Sequence, residues 1–161
     1  MVTTFDADET IVLHSVENMS VFSQMLKQIL PTKSLFAAIR IDGTFPYIRT
    51  RSVYSQEEPY PTLVDALSNE STFELEDVTG TIVGFWMPEY ASGINLAGPH
   101  LHFITEDRTA GGHVKEIQID GAEMQIDMMP VLLMELPTYG SFLGMDPARF
   151  MTQEMAEAAE T

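Results

Sequence analysis

Residues 98–113 read GPHLHFITEDRTAGGH and contain three of the four histidines in the chain. Side chains at positions i and i+2 of a β-strand point to the same face, so His100 and His102 can present two imidazoles side by side. The polar segment that follows, with a Gly-Gly pair at its end, predicts a turn and a returning strand. Such a hairpin would bring His113 alongside the first two histidines.

Three imidazoles from two adjacent strands would form a divalent metal site with an open coordination position, which is typical of catalytic rather than structural sites. Zinc is the first choice because imidazole suits it and the chain has no cysteine, although iron, nickel and copper also accept imidazole. The alternative is that the histidines are ordinary core residues, which is the more common role of a single histidine on an apolar strand. The pair at i and i+2, followed by a third histidine, favours the metal site.

Two stretches of the chain resemble the α-acetolactate decarboxylases closely, and weaker similarity extends over nearly the whole chain. They are residues 84–114, GFWMPEYASGINLAGPHLHFITEDRTAGGHV, and residues 35–61, LFAAIRIDGTFPYIRTRSVYSQEEPYP. The resemblance implies that His100, His102 and His113 bind zinc, and that the protein decarboxylates 2-acetolactate to acetoin and carbon dioxide. Loss of carbon dioxide would leave an enediolate, which a metal chelated by the ketone and hydroxyl oxygens stabilises.

The carboxylate of such a substrate needs a cation, and arginine meets a carboxylate with a planar, bidentate fork. The chain has five arginines, of which Arg49 and Arg51 share one face of a predicted strand. The catalytic arginine of the family lies in a Thr-Arg-(Thr/Ser)-Val context, which residues 50–53 match. The resemblance therefore selects Arg51. From the residues alone, an exposed strand charge in an acidic protein would be the preferred interpretation.

Protonation of the enediolate requires an acid near the metal, and a glutamate can supply it. The resemblance implies such a glutamate in the C-terminal tail, where the nearest position is Glu157, with Glu154 and Glu160 as alternatives. Otherwise the tail glutamates would be a solvated helix face. Glu106 or Asp107 could orient an imidazole of the metal site, or could simply solvate the turn.

A second glutamate of the family belongs to an N-terminal segment that this sequence does not match. The chain is therefore expected to correspond to the C-terminal majority of a family member. It could be a fragment, a shortened relative that completes its sheet with a partner subunit, or a relative that keeps the metal site without turnover. An exposed sheet edge would favour a homo-oligomer, and the resemblance implies a homodimer.

Two functions other than decarboxylation follow from the same residues. The first is a non-catalytic module that binds a metal and a small 2-hydroxy acid. The second is a zinc hydrolase with a bound hydroxide, although no general base stands at a clear spacing. Metal and ligand binding without turnover would distinguish the first of these from the decarboxylase.

Composition limits the possible partners and the location. The chain carries 24 acidic and 8 basic residues, a net charge of −16, so nucleic acid and anionic membranes are not expected partners. No stretch is long and apolar enough to span a membrane, and the first twenty residues do not resemble a signal peptide. The length of 161 residues and the hydrophobic content of 45% indicate one globular domain, residues 1–161, with a cytoplasmic location.

Hydrophobic periodicity predicts an α+β fold, with a mixed, largely antiparallel β-sheet and a few flanking helices. Helices are predicted at residues 18–30, at about 62–69 and along the tail at 148–160. Strands are predicted at 35–41 and 45–53 with an Asp-Gly turn between them, at 73–77 and 79–87, at 100–104 and 113–119, and within 121–136. His14 is assigned to the surface before the first helix.

Overall fold

Two neighbouring strands of 18 residues each form the centre of the fold. The structure is a computed structural model that describes residues 1–58, 60–61, 63–92 and 94–144. Its elements are β1 (Glu9–Leu13), α1 (Met19–Ile29), β2 (Phe36–Val53), α2 (Leu63–Leu67), β3 (Glu70–Met87), β4 (Gly98–Thr105), β5 (Gly111–Gln118) and β6 (Ala122–Met129). Short 3-10 turns occupy Glu89–Ala91 and Gly140–Gly144.

Within the described part of the chain, the strands form one antiparallel sheet in the order β1-β6-β2-β3-β4-β5. Strand β5 pairs with β4 and also returns to pair with residues 47–51 of β2, so β2, β3, β4 and β5 close on themselves. The predicted α+β fold with a largely antiparallel sheet is confirmed. None of the helices in the described ranges has the length and hydrophobicity needed to cross a membrane.

Strand β2 runs without a turn through Asp42 and Gly43, so the predicted hairpin at this point is wrong. Asp42 pairs with Thr81 of β3 on one side and with Glu123 of β6 on the other. Gly43 allows β2 to approach β6 closely, because a Cβ at this position would lie only 2.7 Å from the Cβ of Ala122. Pairing on both sides outweighs the local turn preference of an Asp-Gly pair.

The buried face of β2 changes from odd-numbered to even-numbered residues near Pro46. The most deeply buried side chains are Ala37, Ile39, Ile41 and Phe45 before the change, and Ile48 and Thr50 after it. Pro46 has no N–H to donate to a neighbouring strand, and Asp77, the residue opposite in β3, adopts a left-handed φ of 47°. The irregularity directs Arg51 away from the face that Ile48 and Thr50 bury.

Helix α1 packs against β5 through the face that its periodicity predicts, and the helix predicted over residues 18–30 is confirmed. Phe22 and Leu26 on this face are fully buried. The side chain of Asn18 accepts a hydrogen bond from the backbone N–H of Val21, which caps the first turn. The carboxylate of Glu116 in β5 accepts the backbone N–H of Met19 at 2.6 Å and so ties the helix to the sheet.

Some of the other expectations are confirmed by the structure and others are not. The strands predicted at 73–77 and 79–87 are one strand, β3, because β2 pairs along its whole length. The strand predicted within 121–136 is β6, which ends at Met129, and Leu132 and Leu133 are exposed beyond it. His14 is exposed, as predicted. The predicted tail helix, residues 148–160, lies outside the described residues.

Thr50 provides a stability test of this packing. Its side chain is fully buried, and its hydroxyl has no hydrogen-bond partner among the described residues. Thr50→Val removes this unsatisfied hydroxyl while keeping the branched shape, so we expect the free energy of unfolding to rise by about 1 kcal/mol. Urea unfolding followed by the fluorescence of Trp86, which is 3% exposed, measures the change.

The matched control for this prediction is Thr44→Val on the same strand. The Thr44 hydroxyl is exposed and shares a 2.9 Å hydrogen bond with the hydroxyl of Thr79. We expect this change to leave the stability unaltered or slightly lower. Destabilisation by Thr50→Val would mean that the Thr50 hydroxyl has a partner in solution.

Candidate metal centre

The hairpin of β4 and β5 brings three histidines together, as the sequence predicts. His102 and His113 are direct cross-strand partners, and His100 lies two residues before His102 on the same face. The possible ligand atoms of the three imidazoles all lie within 4.8 Å of one another. The ring centroids are 4.8–5.4 Å apart. The cluster therefore follows from strand alternation and register.

The spacing of the nitrogens fits a shared metal ion. Two imidazole nitrogens that each lie about 2.0–2.1 Å from one zinc ion are separated by about 2.9–3.4 Å at the usual bond angles. The Nε2 atoms of His100 and His102 are 3.2 Å apart. His113 is 8% exposed, whereas His102 is exposed, so the cluster is backed by the protein and open on one side. This arrangement suits a metal that also binds a small molecule.

The two glycines before His113 allow three strands to approach closely. A Cβ at Gly111 would collide with the backbone oxygen of Phe103 in β4, and one at Gly112 would lie 2.5 Å from the backbone oxygen of Arg51 in β2. Gly112 also has a positive φ of 152°, which side chains disfavour. The Gly-Gly pair thus places His113 between β4 and β2.

Asp107 belongs to the turn of this hairpin. Its carboxylate accepts hydrogen bonds from the hydroxyl of Thr105 at 2.6 Å, and from the backbone N–H and the hydroxyl of Thr109 at 3.0 and 2.8 Å. The expectation that Asp107 could orient an imidazole is not supported, because these contacts hold the carboxylate in the turn. Glu106 is exposed, and its backbone N–H donates to the carbonyl of Thr79.

Asp107 gives the turn a predictable pH dependence. The hydrogen bond from the Thr105 hydroxyl, followed by those from Thr109, holds the pKa of Asp107 below its ordinary value of 3.8. A lowered pKa means that the ionised form stabilises the fold above pH 3.8, and that this contribution is lost as the pH falls through the lower, folded-state pKa. We expect Asp107→Ala to lower the Tm at neutral pH. The difference in Tm between the variant and the original protein should become smaller at acidic pH.

Thermal unfolding of the two proteins across a pH series tests this expectation. Glu106→Ala is the control, because it removes an exposed carboxylate from the same turn. A Tm difference for Asp107→Ala that stays constant down to the most acidic pH would show that its carboxylate does not hold the turn.

Arg51 lies directly beside the histidine cluster. In the β2–β5 register it is the cross-strand partner of His113, and the two side chains share a face of the sheet. Arg51 is 8% exposed, and its NH1 donates to the carboxylate of Glu70 at 2.9 Å. Sequence reasoning missed Glu70, because only the pairing of Val53 with Glu70 brings the start of β3 to this position.

A cavity of about 510 Å³ opens beside His100 and His102, within the range typical of small-molecule sites. Its walls include Arg40, Phe85 and, from the segment before β1, Phe5. The cavity therefore combines imidazoles, apolar surface and a cation.

Arg40 was also missed by sequence reasoning. It reaches the cavity because Arg40 pairs with Val83, which in turn pairs with His102. Its guanidinium donates to Asp42 at 2.7 Å, and this hydrogen bond raises the pKa of Arg40. Burial alone would raise the pKa of Asp42, but hydrogen bonds from Arg40 and the Thr81 hydroxyl outweigh it, so this pKa is lowered. Arg40 and Asp42 thus form an exposed ion pair at the rim.

The proposed tail acid, Glu157, lies outside the described residues, as do its alternatives Glu154 and Glu160. Its position relative to the histidines stays a prediction from the resemblance.

Fold and site together define an α+β protein in which a single hairpin of an antiparallel sheet presents three imidazoles beside a buried arginine. A sequence profile described as alpha-acetolactate decarboxylase matches residues 1–148. The alpha-acetolactate decarboxylase of Methanosarcina mazei is 44% identical over 154 residues, which cover 96% of this chain and 54% of the relative. That of Bacillus licheniformis is 45% identical over 139 residues, which cover 86% of this chain and 55% of the relative.

A solved structure agrees with these sequence matches. The crystal structure of alpha-acetolactate decarboxylase from Bacillus subtilis strain 168 superposes with a TM-score of 0.90 at 35% identity, covering 98% of this chain and 66% of that chain. The chain belongs to the alpha-acetolactate decarboxylase family, and the resemblance seen in residues 35–61 and 84–114 is confirmed. It spans about half the length of the curated relatives that it matches, 54% and 55% of the first two.

Proposed function

We propose that this chain takes part in the metal-dependent decarboxylation of 2-acetolactate to acetoin and carbon dioxide. The observation that carries the proposal is the three-histidine cluster with Arg51 as the cross-strand partner of His113. The names of the relatives support the choice of reaction. The cavity beside His100 and His102 offers space for a small molecule, with Arg40 in its wall, and Arg51 lies next to it in the sheet as the neighbour of His113.

His100, His102 and His113 would hold the metal. We propose zinc, because three imidazoles are a common ligand set for catalytic zinc. When bound, the metal would polarise the substrate carbonyl and stabilise the negative charge that develops as carbon dioxide leaves. His113 has the more rigid position, since it is buried between two strands, while the exposed His102 faces the approaching substrate.

Arg51 is the proposed anchor of the substrate carboxylate. An anionic substrate approaches a chain with a net charge of −16, so a local cation beside the histidines is required. A guanidinium can hold a carboxylate through two parallel hydrogen bonds, which fixes the orientation of the bond that breaks. The arrangement suits a carboxylate held on the Arg51 side of the cluster.

Glu157 is the proposed proton donor. After carbon dioxide leaves, the carbon that carried it must accept a proton, and a carboxylic acid is a suitable source. This role, the treatment of residues 1–161 as one domain and the cytoplasmic location all stay predictions from the sequence.

We also propose that the protein is a homodimer. Strand β1 is at the edge of the sheet and pairs on one side only, with β6, among the described residues. Val12 on this strand is 58% exposed. An edge of this kind can accept a strand from a second copy. Light scattering after size-exclusion chromatography measures the oligomeric state, and a monomer at all concentrations would contradict the proposal.

The deciding experiment measures acetoin release from racemic 2-acetolactate by the zinc-loaded 161-residue protein, with His102→Ala as the control. Turnover that requires His102 supports the proposed reaction. Bound zinc and bound 2-hydroxy acid without acetoin would instead support the second candidate, a binding protein that has lost turnover.

A further inference from the structure

The carboxylate of Glu70 stands behind Arg51 on the side away from β5. Glu70 is the first residue of β3 and pairs with Val53, two positions beyond Arg51 on the same face of β2. Its Oε2 accepts a hydrogen bond from NH1 of Arg51 at 2.9 Å. The side chain of Glu70 is 24% exposed and that of Arg51 is 8% exposed, so most of this ion pair is shielded from water.

We infer that Glu70 is a positioning residue that holds the guanidinium of Arg51 in the orientation needed to bind the substrate carboxylate beside His113. This inference rests on the proposed function, because it assigns Glu70 a role through Arg51. It adds a residue that no sequence motif indicated.

An arginine side chain has many rotamers, and a single orientation is retained only when a fixed partner selects it. The backbone on both sides of Arg51 is fixed, since Arg51 pairs with Thr72 of β3 and with His113 of β5. The carboxylate of Glu70 comes from one of these two fixed strands. Among the described residues, the carboxylate that orients the guanidinium therefore belongs to a strand of the sheet.

The guanidinium has five N–H donors in one plane, more than a single carboxylate can accept. Glu70 binds it through NH1, at one end of this fork. Because the group is planar, a carboxylate that holds one edge of it also fixes the direction in which its other donors point. The guanidinium of Arg51 is only 8% exposed, so its positive charge is costly to bury without a counter-charge. The carboxylate of Glu70 supplies that counter-charge.

The ion pair of Arg40 with Asp42 is more exposed than that of Arg51 with Glu70. Both residues come from the same strand, two positions apart, and their side chains are 49% and 38% exposed. Exposed pairs of this kind hold their side chains only weakly. Among the described residues, the Arg51–Glu70 pair is thus the one in which burial and a partner strand together determine the direction of the arginine.

The test compares Glu70→Gln and Glu70→Ala with Glu76→Gln, an exposed glutamate on the same strand. The probe is 2-hydroxy-2-methylbutanoate, which lacks the ketone of acetolactate and cannot decarboxylate. Its Kd for each zinc-loaded protein is measured by calorimetry. The kcat and KM for acetolactate are measured in parallel.

We expect the Kd of the probe to rise about tenfold in Glu70→Gln and further in Glu70→Ala, because glutamine keeps a hydrogen-bond acceptor and alanine does not. The kcat/KM should fall in the same order, while zinc stoichiometry stays at one per chain. The Tm should fall in both variants, because the buried guanidinium of Arg51 loses its counter-charge. Glu76→Gln should match the original protein. In spectra of ¹⁵N-arginine-labelled protein, only the Arg51 side-chain signal should move in Glu70→Gln.

Three results would overturn the inference. Unchanged Kd and kcat/KM in both Glu70 variants would show that Arg51 needs no positioning. Loss of zinc in step with the loss of probe binding would show a structural role instead. A zinc-loaded original protein that binds no probe would overturn the anchoring role of Arg51 and with it the proposed function, which is distinguishable from failure of the Glu70 variants alone.

Discussion

His113→Ala is expected to abolish stoichiometric metal binding and, with it, acetoin formation. His113 is the buried member of the cluster, at 8% exposure, and the direct cross-strand partner of His102. Its removal leaves two imidazoles, of which His102 is exposed. Changes to residues that merely support a metal ligand cost about 10–100-fold in affinity, so loss of a ligand should cost more than about a hundredfold.

Zinc content after exhaustive dialysis and the zinc Kd from calorimetry measure this effect. The control is His14→Ala, because His14 is the one histidine outside residues 98–113 and is exposed. The control should keep one zinc per chain. If His113→Ala also keeps one tightly bound zinc, the metal is held elsewhere and the three-histidine assignment fails.

Arg51→Lys is expected to lower kcat/KM for acetolactate by about a hundredfold while zinc remains bound. Lysine keeps a positive charge opposite Glu70, so this partly buried carboxylate is not left without a counter-charge. A lysine ammonium lacks the planar fork that holds a carboxylate through two hydrogen bonds, so the substrate loses its fixed orientation. Lysine is therefore a sharper test than alanine, which would also destabilise the fold.

The matched control is Arg49→Lys, the same change two positions earlier on the same strand. Arg49 pairs with Glu116 instead of His113, so its replacement should affect turnover much less. Steady-state kinetics and zinc content of both variants make the comparison. Equal losses in the two variants, or no loss in Arg51→Lys, would contradict the anchoring role.

The hairpin that carries the histidines could be predicted from the sequence. Alternation within β4 places His100 and His102 on one face, and the polar turn with its Gly-Gly pair returns the chain to place His113 beside them. These relations involve residues close in the chain, so strand periodicity and turn preferences describe them well. Helix α1 was predictable for the same reason.

The continuous course of β2 could not be predicted. An Asp-Gly pair favours a turn in isolation, but Asp42 and Gly43 are each paired with strands on both sides. The energy of these distant pairings overrides the local preference. The change of buried face near Pro46 depends in turn on Asp77 of β3, which lies 31 residues away in the sequence.

The surroundings of the cluster depend on the same long-range pairing. Sequence resemblance selected Arg51, but its direction follows from the irregularity at Pro46 and from its registers with β3 and β5. Glu70 and Arg40 reach the site only through pairings between strands that lie far apart in the chain. Periodicity reports which residues share a face within one element, whereas register between distant strands is set by the packing of the whole sheet. The histidine cluster therefore follows from local sequence, because its three members lie in one hairpin. The charged groups around it are brought there by the pairing of distant strands in the sheet.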